Sequence, residues 1–150
     1  MHIWIDADAC PVREETYKVA LRHKVPVTVV SNSYLRVLEH PSIKRVVVSD
    51  GFDAADDHIA ENCGPGSVVI TADILLADRI LKAGAMGLSP KGDLWTDDNI
   101  GTAIATRAIM ADLRAGAMGE HIGGPKPFSH ADRSEFLQSL HTMIEREKRG

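Results

Sequence analysis

Short apolar runs separated by stretches of helical character are the feature that most constrains the fold of this chain. Runs of this kind are typical of strands that are buried on both faces of a parallel sheet. Five predicted strands cover residues 2–5, 25–30, 44–48, 67–71 and 85–89. Because alternating strands and helices pair in parallel through right-handed crossovers, the pattern predicts an α/β domain with a mainly parallel sheet.

Helix-start residues divide the intervening segments into helices. Pro11 suits the first position of a helix, Asp53 and Thr96 can act as helix caps, and Ser129 with Asp132 has the spacing of a capping box. The chain between the last two helices is rich in glycine and proline and is predicted to be a loop. The predicted helices cover residues 11–23, 34–39 (one short turn), 53–62, 73–83, 97–115 and 129–146.

The length, cysteine content and charge of the chain restrict its class. A chain of 150 residues can bury one hydrophobic core, which predicts a single domain over residues 1–150. Its two cysteines are far apart, so a disulfide framework is not expected. No apolar run is long enough to cross a bilayer, and aspartates near the N-terminus argue against a signal peptide, so we expect a cytoplasmic protein without a membrane partner. The net charge of −4 neither favours nor excludes nucleic acid.

Aspartates cluster where the predicted strands end. Asp6 and Asp8 follow the first strand, and Asp73 ends the fourth. Further acids open the helix after the third strand, and Asp78 lies in the second turn of the helix after the fourth. Because the carboxyl ends of parallel strands share one edge of a sheet, three separate segments are expected to bring carboxylates to the edge where ligands of α/β proteins bind.

The predicted cluster of carboxylates requires a counter-charge. Hard cations such as Mg²⁺ and Mn²⁺ prefer oxygen ligands, and such a cation can activate water and offset charge on a phosphoryl group. We therefore predict a magnesium or manganese cofactor and phosphate-ester chemistry, with Asp6, Asp8, Asp56 and Asp73 as the catalytic residues. The predicted metal ligands are Asp6, Asp8, Asp56, Asp57, Asp73 and Asp78.

These aspartates also have structural interpretations. Asp53 is interpreted first as a helix cap, and Asp73 can be a cap, a ligand or both. Asp57 is consistent with a residue that faces solvent, whereas Asp56 has apolar residues at helical spacing around it and leans towards the packed side of its helix. Asp6 directly follows an apolar run, and no structural role requires two acids at that point.

Polar and basic residues near the same edge are candidates for contacts with a substrate. The polar residues after the second strand can bind a ligand or form an ordinary turn. The lysines can contact phosphate or remain solvated, and Arg133 can reach an acid or a phosphate, or pair with Asp132 or Glu135. The candidate substrate-binding residues are Ser31, Asn32, Ser33, Lys91, Lys126 and Arg133.

Cys10 precedes Pro11 at the start of a predicted helix. A thiolate would be stabilised at that position, which makes Cys10 a candidate nucleophile or redox site. The alternative interpretation is a small buried or capping residue, since no partner cysteine or base is evident.

Several long motifs in a fixed order resemble the YaiI/YqxD family of uncharacterised bacterial proteins. The motifs are IDADACPV (5–12), DGFDAADDHIAE (50–61), VVITADILLADRIL (68–81), LSPKGDLW (88–95) and GGPKPFSHADRSEFLQSL (123–140). That family is in turn more loosely similar to PIN-like nuclease domains. The wider resemblance implies a three-layer α/β/α fold with strand order 3-2-1-4-5 and a metal-dependent phosphodiesterase site that usually acts on RNA.

Carried over by position, the resemblance assigns individual acids. Asp6 matches the first acid, Asp56 or Asp57 the mid-chain acid, Asp73 the acid in ITAD, and Asp78 is a candidate for the fourth. The chain departs from the wider pattern in two ways. The first acid belongs to an Asp-Ala-Asp sequence followed by Cys-Pro, and the mid-chain acid is an aspartate where glutamate is commoner.

The leading functional hypothesis is a magnesium- or manganese-dependent nuclease that acts on RNA, with water as the attacking group. A first alternative is a phosphatase of the haloacid dehalogenase type, because Asp6 and Asp8 after a strand resemble the nucleophile and acid of that family, and residues 30–33 resemble its second motif. A second alternative is a non-catalytic module that binds a metal, a nucleotide, RNA or another phosphate-containing ligand.

Overall fold

A five-stranded parallel sheet forms the centre of the molecule. The computed structural model describes residues 1–49, 53–116 and 128–149. All four strand pairs are parallel, and the strand order β3-β2-β1-β4-β5 confirms the α/β class and the order that the resemblance implies. The strands are β1 (His2–Asp6), β2 (Val27–Ser31), β3 (Ile43–Val47), β4 (Ser67–Ile70) and β5 (Met86–Leu88).

Helices cover both faces of the sheet. A 3₁₀ turn at Ala7–Ala9 follows β1, and the α-helices are α1 (Arg13–His23), α2 (Ala54–Asn62), α3 (Ile74–Lys82), α4 (Asp97–Gly116) and α5 (His130–Arg149). No helix in the described part of the chain is long and apolar enough to cross a membrane.

Side chains on the two faces of the sheet pack into separate cores, because successive residues of a strand point to opposite faces. On one face, Ile3 and Ile5 of β1 pack with Tyr17 of α1 and Phe136 of α5. On the other face, valines of β2 and β4 pack with α2 and α3, through Val30, Val69, Ile59, Leu76 and Ile80. The fold therefore has three layers, and its central strand β1 is buried on both sides.

Segment 34–39, which was predicted to be a short helical turn, contains no helix. The guanidinium of Arg45 in β3 donates a hydrogen bond to the carbonyl oxygen of Leu35 (3.2 Å) and lies over the ring of Tyr34, 4.1 Å from its centroid. These contacts occupy a carbonyl that a helical turn would use, so the helical prediction for this segment is wrong.

Hydrogen bonds at the starts of α4 and α5 confirm two of the predicted helix caps. The backbone N–H of Ser129 donates to Asp132 Oδ2 (2.9 Å), and the N–H of Asp132 donates to Ser129 Oγ (3.1 Å), as in a capping box. Thr96 caps α4 by accepting a hydrogen bond from the N–H of Asn99 (3.2 Å).

Two other helix starts differ from the prediction. Asp53 occupies the cap position of α2, but its backbone is left-handed (φ 65°) and its side chain makes no capping hydrogen bond. The capping prediction for Asp53 is therefore wrong, since a capping side chain needs an extended backbone. Helix α1 begins at Arg13 and not at Pro11, because a 3₁₀ turn follows β1.

Candidate functional site

Asp6 and Asp73 lie at the carboxyl edge of two neighbouring strands. Asp6 ends the central strand β1, and Asp73 precedes α3 just after β4, whose Ile70 is in register with Ile5. The Thr71 hydroxyl donates a hydrogen bond to Asp6 Oδ2 (2.9 Å) and accepts one from the N–H of Asp73 (3.0 Å). Thr71 therefore connects the two acids directly.

Asp73 is both a helix cap and a member of this acidic edge. Its Oδ1 accepts hydrogen bonds from the N–H groups of Leu75 (2.8 Å) and Leu76 (3.2 Å). The positive end of α3 therefore helps to stabilise the carboxylate. The other oxygen of Asp73 makes no hydrogen bond with any described residue, so the capping role leaves one oxygen available for a ligand.

Asp56 approaches the same acids from the first turn of α2. Burial raises the pKa of Asp56 to about 6, with further contributions from the negative charges of Asp6, Asp73 and Asp53, while Arg79 acts in the opposite direction. Asp56 therefore lies close enough to Asp6 and Asp73 for their negative charges to act on its carboxylate. Of the two candidates on this helix, Asp56 is the half-buried one and its neighbour is exposed, as the helical spacing predicted.

Asp6 is held in a partly buried position. Burial raises its pKa above the usual value of 3.8, the hydrogen bond from Thr71 opposes this shift, and the charges of Asp73 and Asp8 add to it. Ionisation of a carboxylate whose pKa is raised costs additional free energy, and a bound cation would offset that cost.

The three acids are spaced more widely than a compact ligand cage. Among the described residues, no three carboxylates of this edge have oxygens within 4.8 Å of one another. Each acid nevertheless keeps at least one oxygen free of hydrogen bonds to described residues. Mg²⁺ usually keeps several waters and binds through one or two carboxylates together with a substrate phosphate, so this donor set fits such an ion.

Asp8 lies beside these acids on the 3₁₀ turn. Its exposed carboxylate accepts hydrogen bonds from the backbone N–H of Asn32 (3.2 and 3.3 Å), which connects the ends of β1 and β2. The Ser31 hydroxyl donates to the carbonyl oxygen of Ser33 (2.6 Å) and is used within the turn. The side-chain oxygen of Asn32 is buried and makes no hydrogen bond with the described residues. The Asn32 oxygen is therefore a buried acceptor without a partner among the described residues, whereas Ser33 is exposed.

Asp57 and Asp78 are engaged in ion pairs. Asp57 pairs with Arg79 (2.8 Å), and Asp78 pairs with Lys82 one helical turn further along α3 (2.8 Å). Neither Asp57 nor Asp78 is among the neighbouring charges that shift the pKa values of Asp6 and Asp56. The charges of Asp8 and Asp73 therefore act on Asp6, and those of Asp6 and Asp73 act on Asp56, whereas Asp57 and Asp78 are paired with basic side chains.

Arg133 connects two helices. Its guanidinium donates to the carbonyl oxygen of Pro11 (2.7 Å), pairs with Glu15 (3.0 Å) and lies 5.0 Å from the ring centroid of Phe128. The predicted alternative in which Arg133 reaches an acid is therefore confirmed. The alternative pairing with Asp132 or Glu135 is wrong, because α5 packs with this turn facing α1.

The structure describes one of the two lysine candidates, Lys91. Lys91 is exposed in the turn after β5. The hydrogen bond from the Ser129 backbone is the main cause that lowers the pKa of Asp132, and the charge of Lys91 contributes to the same shift. Lys126 lies outside the described residues.

Cys10 is buried, and burial raises the pKa of its thiol to about 11 despite a favourable backbone contact. The thiol is therefore protonated at neutral pH. The interpretation as a stabilised thiolate is wrong, and the interpretation as a small buried residue is confirmed.

Sequence reasoning missed Thr71, the residue that connects Asp6 with Asp73. Thr71 is almost fully buried, and its carbonyl oxygen accepts a hydrogen bond from Trp95 Nε1 (3.0 Å). The available signal was a hydroxyl residue at the end of an apolar strand, two positions before an acid.

Comparison with known proteins gives a consistent family. The family model described as "Uncharacterized BCR, YaiI/YqxD family" matches residues 4–146. A UPF0178 protein of Sphingopyxis alaskensis is 67% identical over 148 residues, covering 99% of this chain and 96% of the relative. UPF0178 proteins of Jannaschia sp. (57% identical; 97% of this chain, 94% of the relative) and Caulobacter vibrioides (53%; 99% and 95%) are also similar. The chain belongs to the YaiI/YqxD family.

Proposed function

We propose that the acidic edge binds a magnesium or manganese ion and hydrolyses phosphodiester bonds, with RNA as the substrate class. The observation that carries the proposal is the convergence of Asp6, Asp56 and Asp73 from three segments, with pKa values of Asp6 and Asp56 raised by burial and by neighbouring charges. In the described part of the chain, no lysine or arginine forms an ion pair with any of these three acids.

The supporting argument is electrostatic. Half-buried carboxylates that repel one another destabilise the fold unless a cation compensates their charge. Such arrangements are typical of functional sites. The basic residue nearest to Asp56, Arg79, is paired with Asp57. A divalent cation therefore supplies the counter-charge that the surrounding side chains do not.

Each acid is positioned by the fold before any ligand arrives. Thr71 fixes Asp6, the first turn of α3 fixes Asp73, and α2 brings Asp56 towards both. A divalent ion held by Asp6, Asp56 and Asp73 would activate water and offset the negative charge that develops on the phosphoryl group. Asp8 and Asn32 stand at the rim on the β2 side, where they can orient a substrate. The choice of RNA rests on the resemblance to PIN-like nuclease domains.

Manganese binding, measured by calorimetry at neutral pH, is the first test. We expect the wild-type protein to bind Mn²⁺, and we expect Asp6→Asn and Asp73→Asn to weaken binding by at least about tenfold, because each removes a charged ligand. Asp78→Asn is the matched control, since that acid is paired with Lys82 outside the cluster. Failure of the wild type to bind, or an equal loss in the control, would contradict the proposed site.

Activity is tested with a fluorescently labelled single-stranded RNA in the presence of Mn²⁺. Cleavage that disappears in Asp6→Asn and persists in Asp78→Asn is the expected result. A phosphoaspartate at Asp6 trapped from a phosphomonoester would favour the phosphatase instead. Metal and RNA binding without turnover would favour the non-catalytic module.

A further inference from the structure

A second group of potential metal ligands lies at the opposite edge of the sheet. His23 ends α1, and His141 and Glu145 are one turn apart on α5. Among the described residues, this is the one group of three such side chains whose ligand atoms all lie within 4.8 Å of one another. Histidine and glutamate at positions i and i+4 present both side chains on the same face of a helix.

The distances within this group suit a small cation. His23 Nε2 lies 2.9 Å from His141 Nδ1, and His23 Nδ1 lies 3.4 Å from Glu145 Oε1. Two nitrogen ligands of a tetrahedral zinc ion are about 3.3 Å apart, given Zn–N distances of about 2.0–2.1 Å. The two imidazoles therefore need to separate by only a few tenths of an ångström to accept a metal.

A cation lies beside the other ring nitrogen of His23. The ammonium group of Lys148 lies 2.9 Å from His23 Nδ1, whereas His141 faces His23 Nε2. Lys148 is an exposed residue near the end of α5, and its long side chain can rotate into solvent. Its positive charge beside the ring opposes the binding of a second cation.

We propose that His23, His141 and Glu145 form a zinc site in which the metal takes the place of the contact between His23 Nε2 and His141 Nδ1. Imidazole nitrogens with one carboxylate are a ligand set that zinc favours, and a water molecule can complete a tetrahedral arrangement. The site would fasten α1 to α5, in the way that structural zinc sites connect separate elements.

Titration with Co²⁺ as a spectroscopic substitute for zinc tests the proposal on the full chain. We expect one equivalent to bind with the visible absorption of tetrahedral cobalt, and Zn²⁺ to displace it. His141→Ala should weaken binding by at least about tenfold. The matched control is His130→Ala, a histidine on the first turn of the same helix that is exposed and outside the group.

Lys148→Met provides a variant that does not depend on removing a ligand. It removes a positive charge beside the His23 ring, so we expect zinc affinity to increase severalfold, whereas Lys18→Met on the exposed side of α1 should leave it unchanged. Asp6→Asn, at the other edge of the sheet, should also leave it unchanged. The proposal is overturned if neither wild type nor Lys148→Met binds cobalt, or if Asp6→Asn abolishes the binding that His141→Ala preserves.

Discussion

At the scale of single residues, Asp56 shows how the acids of the proposed site weaken the fold that carries them. Its pKa of about 6 lies above the ordinary value of 3.8 because folding buries the carboxylate among other acids. The folded protein therefore retains a proton that the unfolded chain has lost between about pH 4 and pH 6. Within that window, the contribution of Asp56 to the free energy of unfolding decreases as the pH rises.

Asp56→Asn should accordingly stabilise the metal-free protein at pH 7.5 by about 1 kcal/mol, after allowance for solvent screening of a half-exposed group. At pH 4 the gain should disappear, because the native carboxyl is then protonated. Urea unfolding in the presence of EDTA measures both values. Asp57→Asn is the control, and it should not stabilise, because that carboxylate is paired with Arg79.

Sequence reasoning identified the edge acids but could not rank them fully. Asp6 and Asp73 were recognisable because each directly follows an apolar strand, and helical spacing favoured Asp56 over Asp57. The ion pairs of Asp57 and Asp78 depended on which side chains the folded helices bring alongside. Thr71 was missed because its partner Asp6 is 65 residues away in the chain.

At the scale of structural elements, the turn between β5 and α4 packs closely against α5. Gly92 has a positive φ of 93°, and a Cβ atom at this position would lie 2.8 Å from the carbonyl oxygen of Glu135. The Ser139 hydroxyl donates to the carbonyl oxygen of Gly92 (2.7 Å), which holds the turn against the helix.

Gly92→Ala should therefore lower the free energy of unfolding by about 2 kcal/mol or more, because it adds backbone strain and a clash with helix backbone. Gly101→Ala, in the exposed part of α4, meets no atom within 4 Å and should instead stabilise by about 1 kcal/mol through helix propensity. Urea denaturation of both variants checks the opposite signs. Two changes of equal size and sign would contradict the close contact between the turn and α5.

At the scale of the whole molecule, the two proposed ion sites lie at opposite ends of the sheet. The acidic edge follows the carboxyl ends of β1 and β4, whereas His23 precedes the amino end of β2. A strand of this length spans about 16 Å. That separation exceeds the distance within which two sites usually interact energetically.

The stabilisations by Mn²⁺ and Zn²⁺ should therefore add. Each ion at a free concentration of about 100 times its dissociation constant should raise the free energy of unfolding by about 2.7 kcal/mol, and both together by the sum to within about 0.5 kcal/mol. Chemical denaturation with each ion alone and with both gives the three values. Competition between the ions would place them at one site.

The sequence by itself determined the α/β class, the five strands, most helix starts and the edge at which aspartates follow the strands. These features depend on short apolar runs, the helical period and the chemistry of helix caps, all of which act over a few neighbouring residues. Only the tertiary structure decided the extended path of residues 34–39, the pairing of Arg133 with Glu15 and the meeting of His23 with His141. The two members of each of these last two pairs are 118 residues apart, so their contact depends on how the helices pack against the sheet and not on local preference.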